Sequence, residues 1–152
     1  MSALKSLLTK PPEHLEFDSV TLRFSTIVPG DAARGLVPYY HYRIFADGAD
    51  VGHINLRVGD TEHVRLSAGH VGFEIAMPYR GHRYAFYACR ALAPFARSIC
   101  PKVILTCDSA NCASRRTIEL LGATFIDEVT VPLGDPHYLR GSRTKLRFQW
   151  QP

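Results

Sequence analysis

With 152 residues, 46% hydrophobic and 21% charged, the chain has the composition of one soluble globular domain, 1–152, able to bury its own core. No apolar run reaches the roughly 20 residues that span a bilayer, so no membrane role is expected. The net charge of +4 suits an anionic partner, but the basic residues are spread along the chain rather than blocked together.

Residues 1–10 carry lysines and leucines without a long apolar stretch or a small-residue cleavage site, so no signal peptide is read. Residues 2–12 form either a mobile lead-in or a short helix that Pro11-Pro12 ends. Residues 20–28 alternate, with Val20, Leu22 and Phe24 on one face and Thr21, Arg23 and Ser25 on the other, which is a half-buried strand. Pro29-Gly30-Asp31 breaks it, and Asp31 can cap a short helical turn. Two further strands, 37–46 and 51–58, flank Asp47-Gly48 and predict a hairpin with a four-residue connection. Residues 61–68 read as a loop or a ragged strand end.

The stretch from His70 to Ala85 reads as a strand, a tight basic turn and the first turn of a helix. Pro78 cannot continue a ladder because it lacks an N–H. Beyond it the period changes, and Phe86, Cys89, Ala93 and Ala96 share a helical stripe with Leu92 beside them. Such a turn aims several unpaired N–H groups and the positive end of the helix dipole at one point, a site for an anion such as phosphate. Arg80, His82 and Arg83 add positive or protonatable groups there. The alternative is an ordinary strand-to-helix joint with no ligand. Residues 102–107 make a short apolar central strand, and a second helix runs from Ala113 to a Gly122 cap. Strands at 124–131 and 144–150 close the chain around a loop holding Pro132, Gly134, Pro136 and Gly141.

This order predicts an α/β (α+β) fold: a mixed, mostly antiparallel twisted sheet with a central βαβ crossover and helices on both faces. The crossover from 71–77 to 103–107 is expected to be right-handed and parallel. Ligands then sit beyond the carboxyl ends of the parallel strands, the edge from which 77–85 and 107–114 both leave. Cys89, Cys100, Cys107 and Cys112 lack metal-ligand spacing, and the seven histidines contain no His-x3-His pair. Free thiols in a reducing cytoplasm, with no metal, are the expectation.

Element order and two motifs together resemble the GNAT superfamily of acyl-CoA-dependent N-acetyltransferases. Arg80-Gly81-His82-Arg83-Tyr84-Ala85 is similar to that family's Arg/Gln-x-x-Gly-x-Gly/Ala pyrophosphate loop, with Arg83 standing where glycine is usual. Backbone donors survive that replacement only if φ is negative at Arg83 or strain is tolerated. Residues 111–123, from Asn111 through Ser114 to Gly122, resemble the family's Asn-x-x-Ser/Ala…Glu-x-x-Gly stretch. By resemblance Asn111 and Ser114 contact the pantetheine arm; read by itself, Asn111 is equally a helix cap.

What the resemblance implies is acetyl transfer from acetyl-CoA, as co-substrate, to the primary amine of a small molecule or peptide by direct attack in a ternary complex. A strand bulge places the backbone of Ile75, Ala76 and Met77 against the cofactor, and Tyr84 and Ala85 complete its loop. The usual tyrosine acid falls on Ile118, which has no proton to give, leaving Tyr138, Tyr84 or solvent. Glu74 is the leading base, with His53 and His70 as runners-up; its competing role is to pair with an arginine or face water. Dimerisation through the C-terminal strands also follows from the resemblance. Two other readings compete: a non-catalytic acyl-CoA-binding module of the same fold, and a basic nucleic-acid-binding domain built on Tyr39, Tyr40, Tyr42 and Arg43. Aromatics on such a strand more often pack a core, so no nucleic acid is expected. The short link between the first two strands predicts an open acceptor groove, with 132–141 as its other wall.

Overall fold

The computed structural model describes residues 8–152. Strands β1 (His14–Phe17), β2 (Val20–Val28), β3 (Tyr39–Ala46), β4 (Ala49–Arg57) and β5 (Val71–Ile75) form an antiparallel five-stranded sheet in chain order. After helix α1 (Tyr84–Ile99) come β6 (Val103–Asp108), helix α2 (Cys112–Leu120), β7 (Thr124–Thr130), the short helix α3 (Pro136–Leu139) and β8 (Thr144–Trp150). These last strands make a separate antiparallel sheet in the order β6-β8-β7. The architecture is the expected mixed α+β class.

Period-two burial builds the first sheet. On β3, Tyr40, Tyr42, Ile44 and Ala46 are buried while Tyr39, His41, Arg43 and Phe45 are half-exposed. The buried set packs on α1, where Ala88, Cys89, Leu92, Phe95 and Ala96 form the inward stripe. Tyr40 meets Phe95 edge-to-face with ring centroids 4.9 Å apart. Both phenols need a partner at that depth, and they donate to the carbonyls of Thr9 (2.6 Å) and Pro12 (2.7 Å). Tyr40 and Tyr42 are therefore core residues, and the chain at Thr9–Pro12 is anchored on the core side of the sheet rather than over its polar face. Residues 2–7 of the expected lead-in lie outside the described residues; from Leu8 to Glu13 there is no helix.

One strand is added to the expected set and three local expectations are corrected. β1 pairs with β2 from His14↔Arg23 to Phe17↔Val20, although four residues are too few to display a period. The β3–β4 hairpin turns on two residues, with Asp47 (φ 50°) and Gly48 (φ 79°) both left-handed, so β4 begins at Ala49. Residues 61–68 hold a single π-helical turn, Val64–Ala68. Finally, β5 and β6 form no parallel ladder. The two sheets meet at His70, whose N–H donates to the Ile104 carbonyl (2.8 Å) and whose Nδ1 accepts from the Ile104 N–H (2.8 Å). That acceptor role requires a neutral ring, and burial lowers the His70 pKa accordingly. His70 is a pin between sheets.

Candidate functional site

Beyond this junction a cleft of ≈ 640 Å³ opens between the end of β5, the loop into α1 and the first turns of α2. Glu74, Ile75, Arg80, Gly81, Arg83, Tyr84, Ala85, Asn111 and Ser114 all line it. Ala76, Met77, His82 and Tyr138 do not. The Ala76 N–H is committed to the Val51 carbonyl (2.8 Å), Met77 points to solvent, and His82 stacks on Tyr84 with centroids 5.2 Å apart. The expected bulge is absent from β5, whose register with β4 is continuous from Gly52↔Ile75 to Leu56↔Val71. It sits instead in β4 at Val51, between the pairs Ile44↔Gly52 and Phe45↔Asp50. A Cβ at Gly52 would lie 2.0 Å from the Glu74 carbonyl oxygen, so only glycine lets β4 come this close to β5.

Arg83 resolves the alternative posed by its motif. It adopts φ 61°, ψ 23°, the left-handed geometry that glycine takes without penalty, and it does so as the N-cap of α1. Strain on the order of 1 kcal/mol is tolerated at this one residue. Gly81 beside it has φ 91° with open space around its Cα, so it is needed for its dihedral, not its size. The first bond of α1 runs from the Tyr87 N–H to the Arg83 carbonyl (3.0 Å). Among the described residues, the N–H groups of Gly81 through Phe86 have no protein acceptor, and no side chain caps the helix. Arg80 is steadied by its Nε donating to the Ile75 carbonyl (2.8 Å). The result is an exposed nest of donors with two guanidinium groups at a helix N-terminus.

On the opposite wall Asn111 is a helix cap, its Oδ1 accepting from the Ser114 N–H (3.1 Å). Asn111 also lines the cleft. Arg116, Thr117 and Leu120 line the same wall and were not anticipated. Their signal was present, because they continue the i, i+3/i+4 face that starts at Ala113. Tyr79 was missed too, although it adjoins the loop motif. Ile118, in the usual tyrosine position, is buried in the core.

Glu74 is exposed and stands where the cleft meets the polar face of the first sheet. Its cross-strand partner there is His53, paired in turn with Arg43 on β3. His41 lies 5.3 Å from His53, ring to ring, and is held by buried Asn55 through a 2.6 Å bond. Desolvation first, and then His41, lowers the His53 pKa, against a smaller opposing pull from Glu74. His53 is thus a neutral imidazole beside a carboxylate. Tyr138 is elsewhere, on α3, under the Arg143 guanidinium (3.8 Å to the ring centroid).

A family model described as an acetyltransferase (GNAT) domain matches residues 10–124 of the chain. The chain belongs to the GNAT acetyltransferases. Comparison with curated proteins found no match. Among solved structures, a probable acetyltransferase is 20% identical with a TM-score of 0.58, covering 74% of this chain and 62% of its own. The chain thus spans less than two thirds of that relative's length. A putative ribosomal-protein-serine acetyltransferase from Vibrio cholerae is 14% identical with a TM-score of 0.63, covering 95% of this chain and 100% of its own. The microcin C7 self-immunity acetyltransferase MccE, solved in complex with acetyl-CoA and AMP, is 12% identical with a TM-score of 0.57, covering 75% and 61%. At such identities the likeness shows the GNAT fold. In this chain the loop at Arg80–Ala85 and the turn at Asn111–Ser114 line the same cleft.

Proposed function

We propose that this GNAT protein is an N-acetyltransferase that moves an acetyl group from acetyl-CoA to the primary amine of a small molecule or peptide by direct attack in a ternary complex. The observation that carries the reading is the unpaired row of N–H groups from Gly81 to Phe86 beside Arg80 and Arg83, a cradle suited to a pyrophosphate. The relative solved with acetyl-CoA supports the same assignment. Acetyl-CoA supplies an activated acetyl thioester; the chain holds it, orients the amine and moves protons.

Arg80, Arg83 and the loop N–H groups bind the anionic end, and Asn111 and Ser114 flank the arm that runs inward. Glu74, at the meeting of cleft and polar face, takes one proton from the attacking amine as a C–N bond replaces the C–S bond. His53 behind it is neutral at pH 7 and relays that proton toward solvent. Tyr84, which lines the cleft, is better placed than Tyr138 to return a proton to the departing sulfur. The cysteines Cys89, Cys100, Cys107 and Cys112 are unpaired, which supports a reducing, cytoplasmic setting.

Isothermal titration with acetyl-CoA tests the cradle. Saturable binding should weaken about tenfold or more in Arg80→Ala, since a charge-assisted bond to phosphate contributes about 1.5–3 kcal/mol. Glu74→Gln should bind normally and release CoA more slowly with every amine. Absence of binding by the wild-type chain would overturn the cofactor assignment.

A further inference from the structure

Past Asp108 the end of β6 opens on a second cavity, of ≈ 630 Å³, between the β6–α2 turn and the chain from His137 to Lys145. Its wall is cationic. Arg140, Arg143 and Lys145 face one lining carboxylate, that of Asp108. Asp108 is already committed, because it pairs with Lys145 (3.0 Å) and also accepts from the Ser142 hydroxyl. Two further acids approach from outside: Glu128 accepts from Ser109 Oγ at the rim (2.7 Å), and Asp135 is engaged by His63 on the far side (2.7 Å).

The cations are held ready. Lys145 is buried, and Arg143 sits over the Tyr138 ring, 3.8 Å from its centroid, with its Nη1 donating to the Tyr138 (2.8 Å) and Ser142 (3.3 Å) carbonyls. Arg140 makes one long bond, Nε to the Pro136 carbonyl at 3.3 Å, so its remaining donors have no protein partner among the described residues. His137 reports the local field. Burial first, then Lys145 and Arg140, push its pKa down to about 4, and the coulombic share from Lys145 and Arg140 has the sign that favours an anion.

The cavity also has the right neighbour. Ala110 lines it and Asn111, the next residue, lines the cofactor cleft. The two cavities therefore share the β6–α2 turn as a common wall, which places the cationic cavity next to the cleft.

We propose that this cavity is the acceptor subsite and that it selects amines carrying a carboxylate or phosphate on a short arm. The inference rests on the acetyltransferase reading and names its substrate class. Arg140 and Arg143 supply paired donors to the anion, while Lys145 contributes charge from beneath.

Two measurements test it, and only one depends on turnover. In the first, CoA release is compared for acceptor pairs differing in the anion alone: phosphoethanolamine against ethanolamine, and β-alanine against its amide. The expected wild-type preference for the anionic member is about tenfold or more in kcat/KM, collapsing toward unity in Arg140→Ala/Arg143→Ala. In the second, phosphoethanolamine and β-alanine are titrated calorimetrically into wild type and into Arg140→Ala, whose exposed side chain can be removed without disturbing the fold. Binding by the wild type that weakens in Arg140→Ala supports the subsite even if no amine is turned over, an outcome that would sink the activity reading alone. Equal use of neutral and anionic amines, no wild-type binding of either anion, or a preference that survives the double variant overturns the proposal. The phosphate and carboxylate arms separate the two anion classes.

Discussion

Two polar clusters of this fold handle their hydrogen bonds in opposite ways. In the loop into α1, the N–H groups from Gly81 to Phe86 have no protein acceptor among the described residues and a strained Arg83 holds them in line. Around Asp135, everything is used: its carboxylate accepts from Ser67 Oγ (2.8 Å) and the His137 N–H (2.8 Å) and meets His63 Nδ1 (2.7 Å), all partly or fully buried. The satisfied cluster is a clasp that fastens α3 and the β7–β8 loop to the π-helical turn. The unsatisfied one is free to receive a ligand. Polar side chains of similar type thus serve stability in one place and binding in the other, and what separates them is whether the protein completes their bonds.

The comparison breaks most readily at the clasp. Asp135 has 4% of its side chain exposed, and Asp135→Ala should destabilise the fold by on the order of 3–5 kcal/mol, since its removal strands three partly or fully buried partners. Urea denaturation measures this, and acetyl-CoA affinity of the remaining folded protein should hardly change. A loss below about 1 kcal/mol would mean that the loop is fastened elsewhere.

Acid should loosen the same region next. Folded His137 refuses a proton until about 4, whereas the unfolded chain accepts one near 6.5. Below 6.5 the unfolded state therefore binds more protons, so stability falls with pH through this window and levels off under about 4. His137 faces Lys145, Arg140, Asp135 and His63, and His70 has its pKa lowered in the same direction by its own burial. Thermal melts between pH 7 and 4 should show the decline, and His137→Gln should flatten part of it. An unchanged profile in that variant would remove His137 from the account.

The smallest effect belongs to the loop. Arg83→Gly should relieve the left-handed strain, by about 1 kcal/mol less the chain entropy that glycine adds, so the melting temperature should shift little. Acetyl-CoA affinity in that variant isolates the guanidinium: a large drop would make Arg83 a phosphate ligand, and none would make it only a tolerated cap.

Local chemistry was legible in the sequence. The alternation of β2, the stripe on α1, the Asn111 start of α2 and the loop from Arg80 to Ala85 each depend on neighbours within a few residues, so spacing and residue type determined them. The family resemblance rested on those same short-range signals. Contacts between distant segments were decided only by the tertiary structure. The junction where β5 meets β6 depends on the His70 imidazole bonding to Ile104, thirty-four positions away. That Tyr138 does not line the cleft goes with the anchoring of α3 by a clasp whose partners, Ser67 and Asp135, are sixty-eight positions apart. The cationic wall beside Asp108 likewise exists only because β8 lies against β6 and brings Lys145 to it. No local pattern encodes such pairings, because burial and charge neighbourhood are properties of chain segments after they meet.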